Sequence, residues 1–391
     1  MTITYFFLTL NHHEAPVVDE LYKLIGNDLT FVELVDMSHS KEGKKGSTEV
    51  FSNRPYLLKA WENPRNEQKA MELARTSDVA MFCGYPSLRF QIERLKENRL
   101  SFEVSERWLK RGLYGMLSPR LMKVFLNYHI RNWRNRPLYR LCSSAFAASD
   151  HAMLGMYKGK CYKWGYFTKV EEEFVEASDA DVSTKGKVRI LWCARFITWK
   201  HPELVIGLAA KLKKDGCDVA IDMYGDEGSL APHDKPYRRK DLEALIDKLG
   251  VEDIVILKGN RPNSEILKAM QEGDIFLFTS DRLEGWGAVA NESMSNGCVL
   301  VASDAIGSTK YLVKDRETGM VFKSCDIDSL YESVKFLLDN LEERKRIAEA
   351  GRRLMVEQWS PELAAKSLLQ LIDDLNAGKE TSIKEGPCSK A

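Results

Sequence analysis

The chain has 391 residues, a length that favours two domains over one, since a single hydrophobic core rarely grows beyond about 250–300 residues. Its 57 lysines and arginines balance 57 aspartates and glutamates, so the global charge gives no support to a nucleic-acid-binding protein. Eight cysteines without any C-x-x-C pair argue against a zinc site and a disulfide framework, and they fit a reducing cytoplasm.

Five short apolar runs in the first half predict buried strands of an N-terminal domain over residues 1–170. The first run, within ITYFFLTL, is too short to span a bilayer and has neither a basic start nor a small-residue cleavage site. It therefore predicts a core strand. The predicted strands are TYFFLTL (4–10), LTFVELV (29–35), DVAMFCG (78–84), LSFEVS (100–105) and SAFAAS (144–149).

The stretch 107–140 is basic, although the whole chain is neutral. It carries nine lysines or arginines, six aromatic residues and no acidic residue. Such a segment can lie on an anionic membrane surface, where each cation contributes ~1 kcal/mol near the headgroups, and we expect Trp108 and Trp133 at the interface. The alternative is a solvated helix pair or a site for an anionic soluble acceptor.

The second half alternates apolar runs with amphipathic stretches, such as the helix predicted over 201–216. An acidic linker, 171–187, precedes this C-terminal domain, 188–360. Strand–helix alternation predicts an α/β fold of two doubly wound, Rossmann-like domains that face a central cleft, with ligands at the carboxyl ends of the strands. The predicted strands are VRILWCAR (188–195), VAIDMY (219–224), IVILKG (254–259), IFLFTS (275–280) and CVLVAS (298–303).

The stretch EGWGAVANE, bracketed by Glu284 and Glu292, follows the apolar run 275–280. Gly285 and Gly287 allow a tight turn, after which AVANESMSN predicts a helix. Glu284 is thus expected in the loop and Glu292 inside the helix. Between them the first helical N–H groups would point outward, where an anionic phosphate is held.

From about residue 188 to 373 the chain resembles the retaining GT-B glycosyltransferases of glycosyltransferase family 4. The family's Glu-x7-Glu element looks like EGWGAVANE, and its strand-terminal phosphate motif looks like Arg195 and Lys200, with Ala194 and His201 where glycines are usual. Further similar segments are IVILKG (254–259), DRETG (315–319) and WSPEL (359–363), whereas GSTKY (307–311) departs from the family pattern at Tyr311.

The end of the chain carries two further predictions. The resemblance implies a C-terminal helix over 361–375 that crosses back to the N-terminal domain. Composition predicts a disordered tail over 376–391, because this segment is polar and contains little that could pack.

The resemblance implies a donor site for a nucleotide-diphosphate sugar, and the residue types fit that chemistry. Arg195 and Lys200 would neutralise the diphosphate, the guanidinium as a fork and the ammonium as a point charge. Glu284 would accept hydrogen bonds from the donor sugar and Glu292 from the ribose, because an ionised carboxylate accepts from two hydroxyls at once.

Backbone groups complete the predicted donor site. Amides of Trp286, Gly287, Ala288 and Val289 would meet the diphosphate, and backbone near Gly259 and Asn260 would contact the nucleobase. Two cations and a helix N-terminus can do what a metal does elsewhere, and the resemblance likewise implies no divalent metal and no cofactor. These residues are therefore expected to bind the donor unaided.

Four residues are acceptor-side candidates, because each follows or ends a predicted strand: His12, His13, Glu103 and Glu106. A histidine there could bind acceptor hydroxyls or take a proton. The leaving phosphate could equally receive that proton, so the site does not require a dedicated base.

The sequence thus predicts a retaining, metal-independent glycosyltransferase that acts on a glycan or lipid-linked acceptor in surface polysaccharide assembly, in the cytoplasm or at the inner face of its membrane. An oxidoreductase would need G-x-G-x-x-G after a strand, which neither half supplies. Two alternatives stay open: a non-catalytic sugar-nucleotide binding protein and a sugar-nucleotide epimerase of the same fold.

Overall fold

The computed structural model describes residues 1–36, 51–170, 186–227 and 235–391. The predicted linker 171–187 lies outside these ranges except for its last two residues. The chain divides into two compact units, one of Met1–Lys169 with Gln358–Ala391 and the other of Val170–Glu357. Within the described ranges, no helix is both long enough and apolar enough to cross a membrane.

The N-terminal unit is built on a seven-stranded sheet in the order β3-β2-β1-β4-β5-β7-β8, and every pairing in it is parallel. The central strand β1 (ITYFF) is buried at all five positions, because helices cover both faces of such a sheet. The seven strands of this sheet are β1 Ile3–Phe7, β2 Leu29–Glu33, β3 Leu57–Lys59, β4 Val79–Cys83, β5 Ser101–Ser105, β7 Leu138–Cys142 and β8 Cys161–Lys163, and a further short strand, β6 Lys110–Leu113, lies outside it.

In the described part of this unit, the helices are α1 Ala15–Ile25, α2 Pro64–Thr76, α3 Leu88–Lys96, α4 Pro119–Ile130 and α5 Ala147–Met153. The strand predicted over 144–149 is wrong, since this stretch leads into α5 and the strand lies at β7. Arg140 misled the pattern, because it is a charged residue that is fully buried in β7. Its ion pair with Glu103 of β5, 2.6 Å between charged atoms, allows that burial.

The C-terminal unit has a six-stranded parallel sheet in the order β11-β10-β9-β12-β13-β14. Its strands are β9 Val188–Cys193, β10 Val219–Tyr224, β11 Val255–Gly259, β12 Ile275–Phe278, β13 Val299–Ser303 and β14 Met320–Phe322. Its helices are α6 Pro202–Lys214, α7 Arg239–Leu249, α8 Asn263–Gln271, α9 Val289–Ser295, α10 Thr309–Leu312, α11 Ile327–Asp339 and α12 Leu341–Glu357. All five strands predicted for this half are confirmed.

Strand order reverses direction between β9 and β12, as it does between β1 and β4 in the other unit. Chain connections leave the sheet on opposite sides at such a switch point, which opens a crevice beyond the carboxyl ends of the two strands. The predicted α/β architecture of two doubly wound domains is therefore confirmed. It places the residues after β9 and β12 side by side.

The C-terminal segment returns to the N-terminal unit. Helix α13, Pro361–Asn376, packs against α1. The disorder predicted for 376–391 is wrong: the Ser389 carbonyl accepts from the Lys163 amide at 2.8 Å, and Cys388 is fully buried. Composition failed here because backbone groups hold the tail beside the exposed edge of β8, which offers hydrogen bonds to any sequence.

Candidate functional site

The loops after β9 and β12 are tied together by hydrogen bonds. The buried Trp192 indole donates to the Thr279 hydroxyl at 2.8 Å, and that hydroxyl donates to the Lys200 carbonyl at 2.6 Å. The Asp281 amide donates to the Trp199 carbonyl at 3.0 Å. These bonds fix the backbone that carries Lys200 against the loop that carries Glu284.

Lys200 and Glu284, which were predicted separately, form an ion pair. Glu284 also accepts from the Ser280 hydroxyl at 2.9 Å, and the Lys200 ammonium lies 4.6 Å from the centre of the Trp199 ring. An ammonium over an aromatic face is stabilised by the ring quadrupole. The switch point therefore holds a cation and a carboxylate whose positions are fixed before any ligand binds.

Trp199 also contacts the second predicted cation. The partly buried Arg195 guanidinium lies 5.9 Å from the centre of the same ring. Sequence reasoning missed Trp199, although an aromatic residue between two predicted phosphate ligands is a visible signal. The ring aligns Arg195 and Lys200 at one edge of the sheet.

His201 lies in the left-handed region, with φ at 52°, directly before α6. This conformation explains the glycine usual at the position, because glycine adopts positive φ at no steric cost. Its ring contacts Glu203 at 2.7 Å and Asp281 at 3.5 Å. Burial lowers the pKa of His201, but the hydrogen bonds to Asp281 and Glu203 outweigh it and raise that pKa to about 10.

Glu292 is buried in α9, inside the helix as predicted. Burial raises the pKa of Glu292, while a hydrogen bond from Asn263 opposes the rise. The pKa of the Cys193 thiol is raised to about 12 by burial and then by the charge of Glu292, against the charge of Lys200. Glu292 and Lys200 thus both act on one group at the end of β9.

The turn between the two glutamates fits only glycine at position 287. Gly287 has φ at 79°, and a Cβ there would lie 2.1 Å from Phe278 Cζ. The Trp286 side chain is fully buried and donates to the Asn291 side chain at 2.8 Å. Helix α9 begins after Ala288 at Val289, so the amides of 287–289 precede its first internal hydrogen bond.

Gly259 and Asn260 lie at the end of β11, on the far side of β10 from β9. The Gly259 carbonyl accepts from the Gly225 amide at 2.9 Å, and Asn260 is exposed. This position is apart from the Lys200–Glu284 pair but on the same edge of the sheet.

The N-terminal unit contains a cavity of about 410 Å³ whose lining includes Glu103 and Glu106. Both carboxylates already have partners. Glu103 pairs with Arg140 and accepts from the Tyr157 hydroxyl. Glu106 pairs with Lys110 at 2.5 Å and accepts from the Tyr166 hydroxyl at 2.8 Å.

His12 and His13 lie in the loop after β1, outside the lining of that cavity. Their ring centres are 3.8 Å apart, and the His13 ring stacks on Tyr166 with 5.3 Å between centres. Burial and the neighbouring His12 lower the pKa of His13 to about 3. His13 is therefore neutral at physiological pH and suited to accept or donate a single hydrogen bond.

Glu14 was missed by the sequence analysis. Burial raises the pKa of its carboxyl to about 7, in the range where a group can both take up and release protons. Its charge acts on Cys83, at the end of β4, and on Tyr166. The sequence signal was an acid immediately before the Ala-Pro start of α1.

The basic segment 107–140 differs from its prediction in one respect. Trp108 and Trp133, expected at a membrane interface, are both buried in the core of the N-terminal unit. The Arg140 guanidinium lies 5.3 Å from the centre of the Trp108 ring, and the indole nitrogen of Trp108 donates to the Ser105 hydroxyl at 3.2 Å. Internal contacts to the sheet account for both the ring and its polar atom.

Comparison with known proteins finds sequence matches to the C-terminal domain. Residues 175–354 match a family model described as glycosyl transferases group 1. The alpha-D-kanosaminyltransferase of Streptomyces kanamyceticus is 31% identical over 179 residues, which cover 46% of this chain and 44% of that protein. The N-acetylgalactosamine-N,N'-diacetylbacillosaminyl-diphospho-undecaprenol 4-alpha-N-acetylgalactosaminyltransferase of Campylobacter jejuni is 30% identical over 165 residues, 42% of this chain and 41% of that protein. The matched regions span less than half the length of these curated relatives.

Solved structures match almost the whole chain. The Anabaena protein HepE, in complex with UDP, has a TM-score of 0.72 at 14% identity, covering 95% of this chain and 100% of that chain. The sucrose-phosphate synthase of Thermosynechococcus elongatus has a TM-score of 0.69 at 14% identity, covering 97% and 100%. At this identity the likeness shows the fold alone, and it confirms the GT-B class.

Proposed function

We propose that this chain, whose residues 175–354 match the family model of glycosyl transferases group 1, moves a sugar from a nucleoside-diphosphate donor to a hydroxyl of a glycan or lipid-linked acceptor. The observation that carries the proposal is the Lys200–Glu284 pair at the switch point, with Arg195 on the same Trp199 ring. Cation and carboxylate there match the two halves of a sugar nucleotide, an anionic diphosphate and a sugar rich in hydroxyls.

Departure of the diphosphate is the demanding step, because negative charge grows on the leaving phosphate while positive charge grows on the anomeric carbon. Arg195 and Lys200 supply fixed positive charge for the phosphate, and fixed charges of this kind act most strongly in the transition state. The backbone amides of residues 286–289 provide further hydrogen-bond donors to the diphosphate. Once the phosphate draws Lys200, Glu284 is released to accept from sugar hydroxyls, while Glu292 accepts from the ribose.

The remaining features of the proposal rest on the family resemblance. Transfer retains the anomeric configuration, requires no divalent metal, and lets the leaving phosphate take the acceptor's proton. UDP is the first donor nucleotide to test, since HepE is described in complex with UDP. Backbone near Gly259 and Asn260 is proposed to meet the base.

The acceptor is proposed to bind the N-terminal unit, whose cavity carries Glu103 and Glu106. His12, His13 and Glu14 at the nearby end of β1 are further proposed acceptor contacts. One relative is named for transfer to a glycan on diphospho-undecaprenol, which supports a role in surface polysaccharide assembly at the cytoplasmic face of a membrane.

Thermal unfolding with UDP, GDP and ADP, each with and without magnesium, tests the donor site. A nucleotide at a hundred times its dissociation constant adds ~2.7 kcal/mol of stability. We expect one diphosphate to give such a shift regardless of magnesium. In a transfer assay with the matching sugar nucleotide, Arg195→Ala and Lys200→Ala should each lower kcat/KM about a hundredfold to a thousandfold.

Lys211→Ala is the matched control, because Lys211 lies on α6, the helix that follows Lys200, and pairs with Asp328 at the exposed surface. It should leave both binding and transfer unchanged. If a nucleotide raises the melting temperature but no acceptor yields product, a binding protein is favoured. If the sugar nucleotide is converted in the absence of any acceptor, an epimerase is favoured. NMR of the product reports its anomeric configuration, and an inverted product would refute retention.

A further inference from the structure

The surface of the N-terminal unit carries one concentrated apolar area. Of the sixteen large hydrophobic side chains that are exposed in the described part of the chain, six fall within residues 113–130. Leu113, Tyr114, Leu117 and Ile130 are 62%, 81%, 77% and 77% exposed, respectively. We call the full set the apolar patch: Leu113, Tyr114, Leu117, Met122, Leu126 and Ile130.

Helix α4 turns an apolar stripe outward. Met122, Leu126 and Ile130 are spaced four residues apart, so they lie along one face of the helix. Val124 and Tyr128, on the opposite face, are buried in the core. A surface helix normally presents polar residues to water, so this outward stripe indicates a surface that meets an apolar partner.

The segment that carries the patch is also rich in cations. Of the nine basic residues in 107–140, Arg107 pairs with Asp150, Lys110 with Glu106 and Arg140 with Glu103. The other six have no ion pair with a carboxylate in the part of the chain that the structure describes: Arg111, Arg120, Lys123, Arg131, Arg134 and Arg136.

We infer that the apolar patch docks onto an anionic lipid bilayer, with its side chains among the acyl chains. Arg120 lines the cavity, and the other five cations would lie at the headgroups. Exposed Leu, Ile, Met and Tyr beside Lys and Arg are the composition of interfacial membrane anchors. A second copy of the chain fits worse, because a two-fold contact would set the same five cations against each other.

The inference deepens the proposed transferase function, on which its last step rests. The other side of α4 contributes Arg120, Leu121 and Val124 to the lining of the cavity. Docking through the outward stripe would hold that cavity at the membrane surface. The acceptor class that it favours is therefore a glycan carried on a lipid.

Flotation with vesicles tests the docking without donor or acceptor. Wild type should float with phosphatidylglycerol and phosphatidylcholine mixtures and much less with phosphatidylcholine alone. Leu117→Ser/Ile130→Ser should lower the partition coefficient about tenfold or more, since two apolar side chains are lost from the interface. Lys123→Gln/Arg131→Gln should lower it about fivefold for each cation removed, and high salt should do the same.

Leu249→Ser/Ile256→Ser is the matched control, because it removes two exposed apolar side chains from the C-terminal unit; it should float like wild type. Unchanged melting temperatures would show that the variants fold. Equal flotation of wild type and Leu117→Ser/Ile130→Ser would overturn the inference. It would also be overturned if wild type bound no vesicles and sedimented as a dimer that the same double substitution dissociates. If the wild type binds a nucleoside diphosphate but no vesicle, only the membrane docking is refuted. If it binds vesicles but no nucleoside diphosphate, only the transferase proposal is refuted.

Discussion

The two sheets share a strand order around their switch points, yet their charged pairs lie in different places. In the C-terminal unit, Lys200 and Glu284 sit on loops beyond the ends of β9 and β12. In the N-terminal unit, Glu103 and Arg140 are direct neighbours within the sheet, on β5 and β7. A pair beyond the strand ends can exchange its partner for a ligand, whereas a pair between strands is part of the core.

For the proposed transferase, this contrast separates two demands. A diphosphate always needs concentrated positive charge, so the donor side requires Arg and Lys at the strand ends. An acceptor hydroxyl carries no charge and can be held by many arrangements of polar groups. The N-terminal switch point accordingly offers His13, neutral through its lowered pKa, and Glu14, with a pKa of about 7.

The same substitution at the two carboxylates gives the largest expected contrast. Glu103→Gln would leave Arg140, which is 0% exposed, without its counter-charge, and we expect it to cost about 3–5 kcal/mol of unfolding free energy. Glu284→Gln leaves Lys200, which is 13% exposed, with its contact to Trp199 and a neutral hydrogen-bond acceptor, so it should cost less, about 1–3 kcal/mol. Urea unfolding of both variants measures the difference.

Activity completes that comparison. Glu284→Gln should lower transfer about a hundredfold while the protein remains folded. Equal losses of stability in the two variants would contradict the distinction between a core pair and a site pair.

The steric fit of Gly287 gives a smaller effect on stability. Gly287→Ala would place a Cβ 2.1 Å from Phe278 at a φ of 79°, and we expect it to cost about 3 kcal/mol. Gly216→Ala is the matched control in the same unit, because φ there is 67° but no atom lies within 4 Å. It should cost about 1 kcal/mol. If Gly287→Ala/Phe278→Leu regains part of the lost stability, the cost beyond that of Gly216→Ala comes from the clash with the Phe278 ring. If it regains none, the clash is not the cause.

The C-terminal sheet and the positions of its charged residues could be predicted because their signals are local. Each apolar run is bounded by glycines or charges. Arg195 ends such a run, and Lys200 and Glu284 each follow one within five residues. The contact of Arg195 and Lys200 with one Trp199 ring was not predictable from spacing, since it depends on how the two loops fold back.

Four of the five strands predicted in the N-terminal half are confirmed, and the predictions that failed there depend on long-range contacts. Arg140 made β7 look polar, and only its pairing with Glu103, 37 positions earlier in the sequence, explains a buried arginine in a strand. Trp108 and Trp133 looked interfacial beside so many cations, but their rings pack into the core. Burial of an aromatic residue depends on which face of the fold it occupies, which composition does not record.

The smallest expected effect concerns His201, which supports the C-terminal site through charge. Its folded pKa, about 10, lies above the unfolded value of about 6.5, so the folded state holds more protons between these values. The stabilisation by Asp281 and Glu203 is therefore complete below about pH 6.5 and declines as the pH rises toward 10. His201→Asn removes this dependence while keeping a side chain that tolerates the left-handed backbone at this position. The difference in unfolding free energy between wild type and variant should shrink from pH 6 to pH 10, by less than the pKa shift alone implies, because water screens a partly exposed pair. If the stability difference between wild type and variant instead grows with pH, the His201 ring is neutral in the folded protein and is not held in its charged form by Asp281 and Glu203.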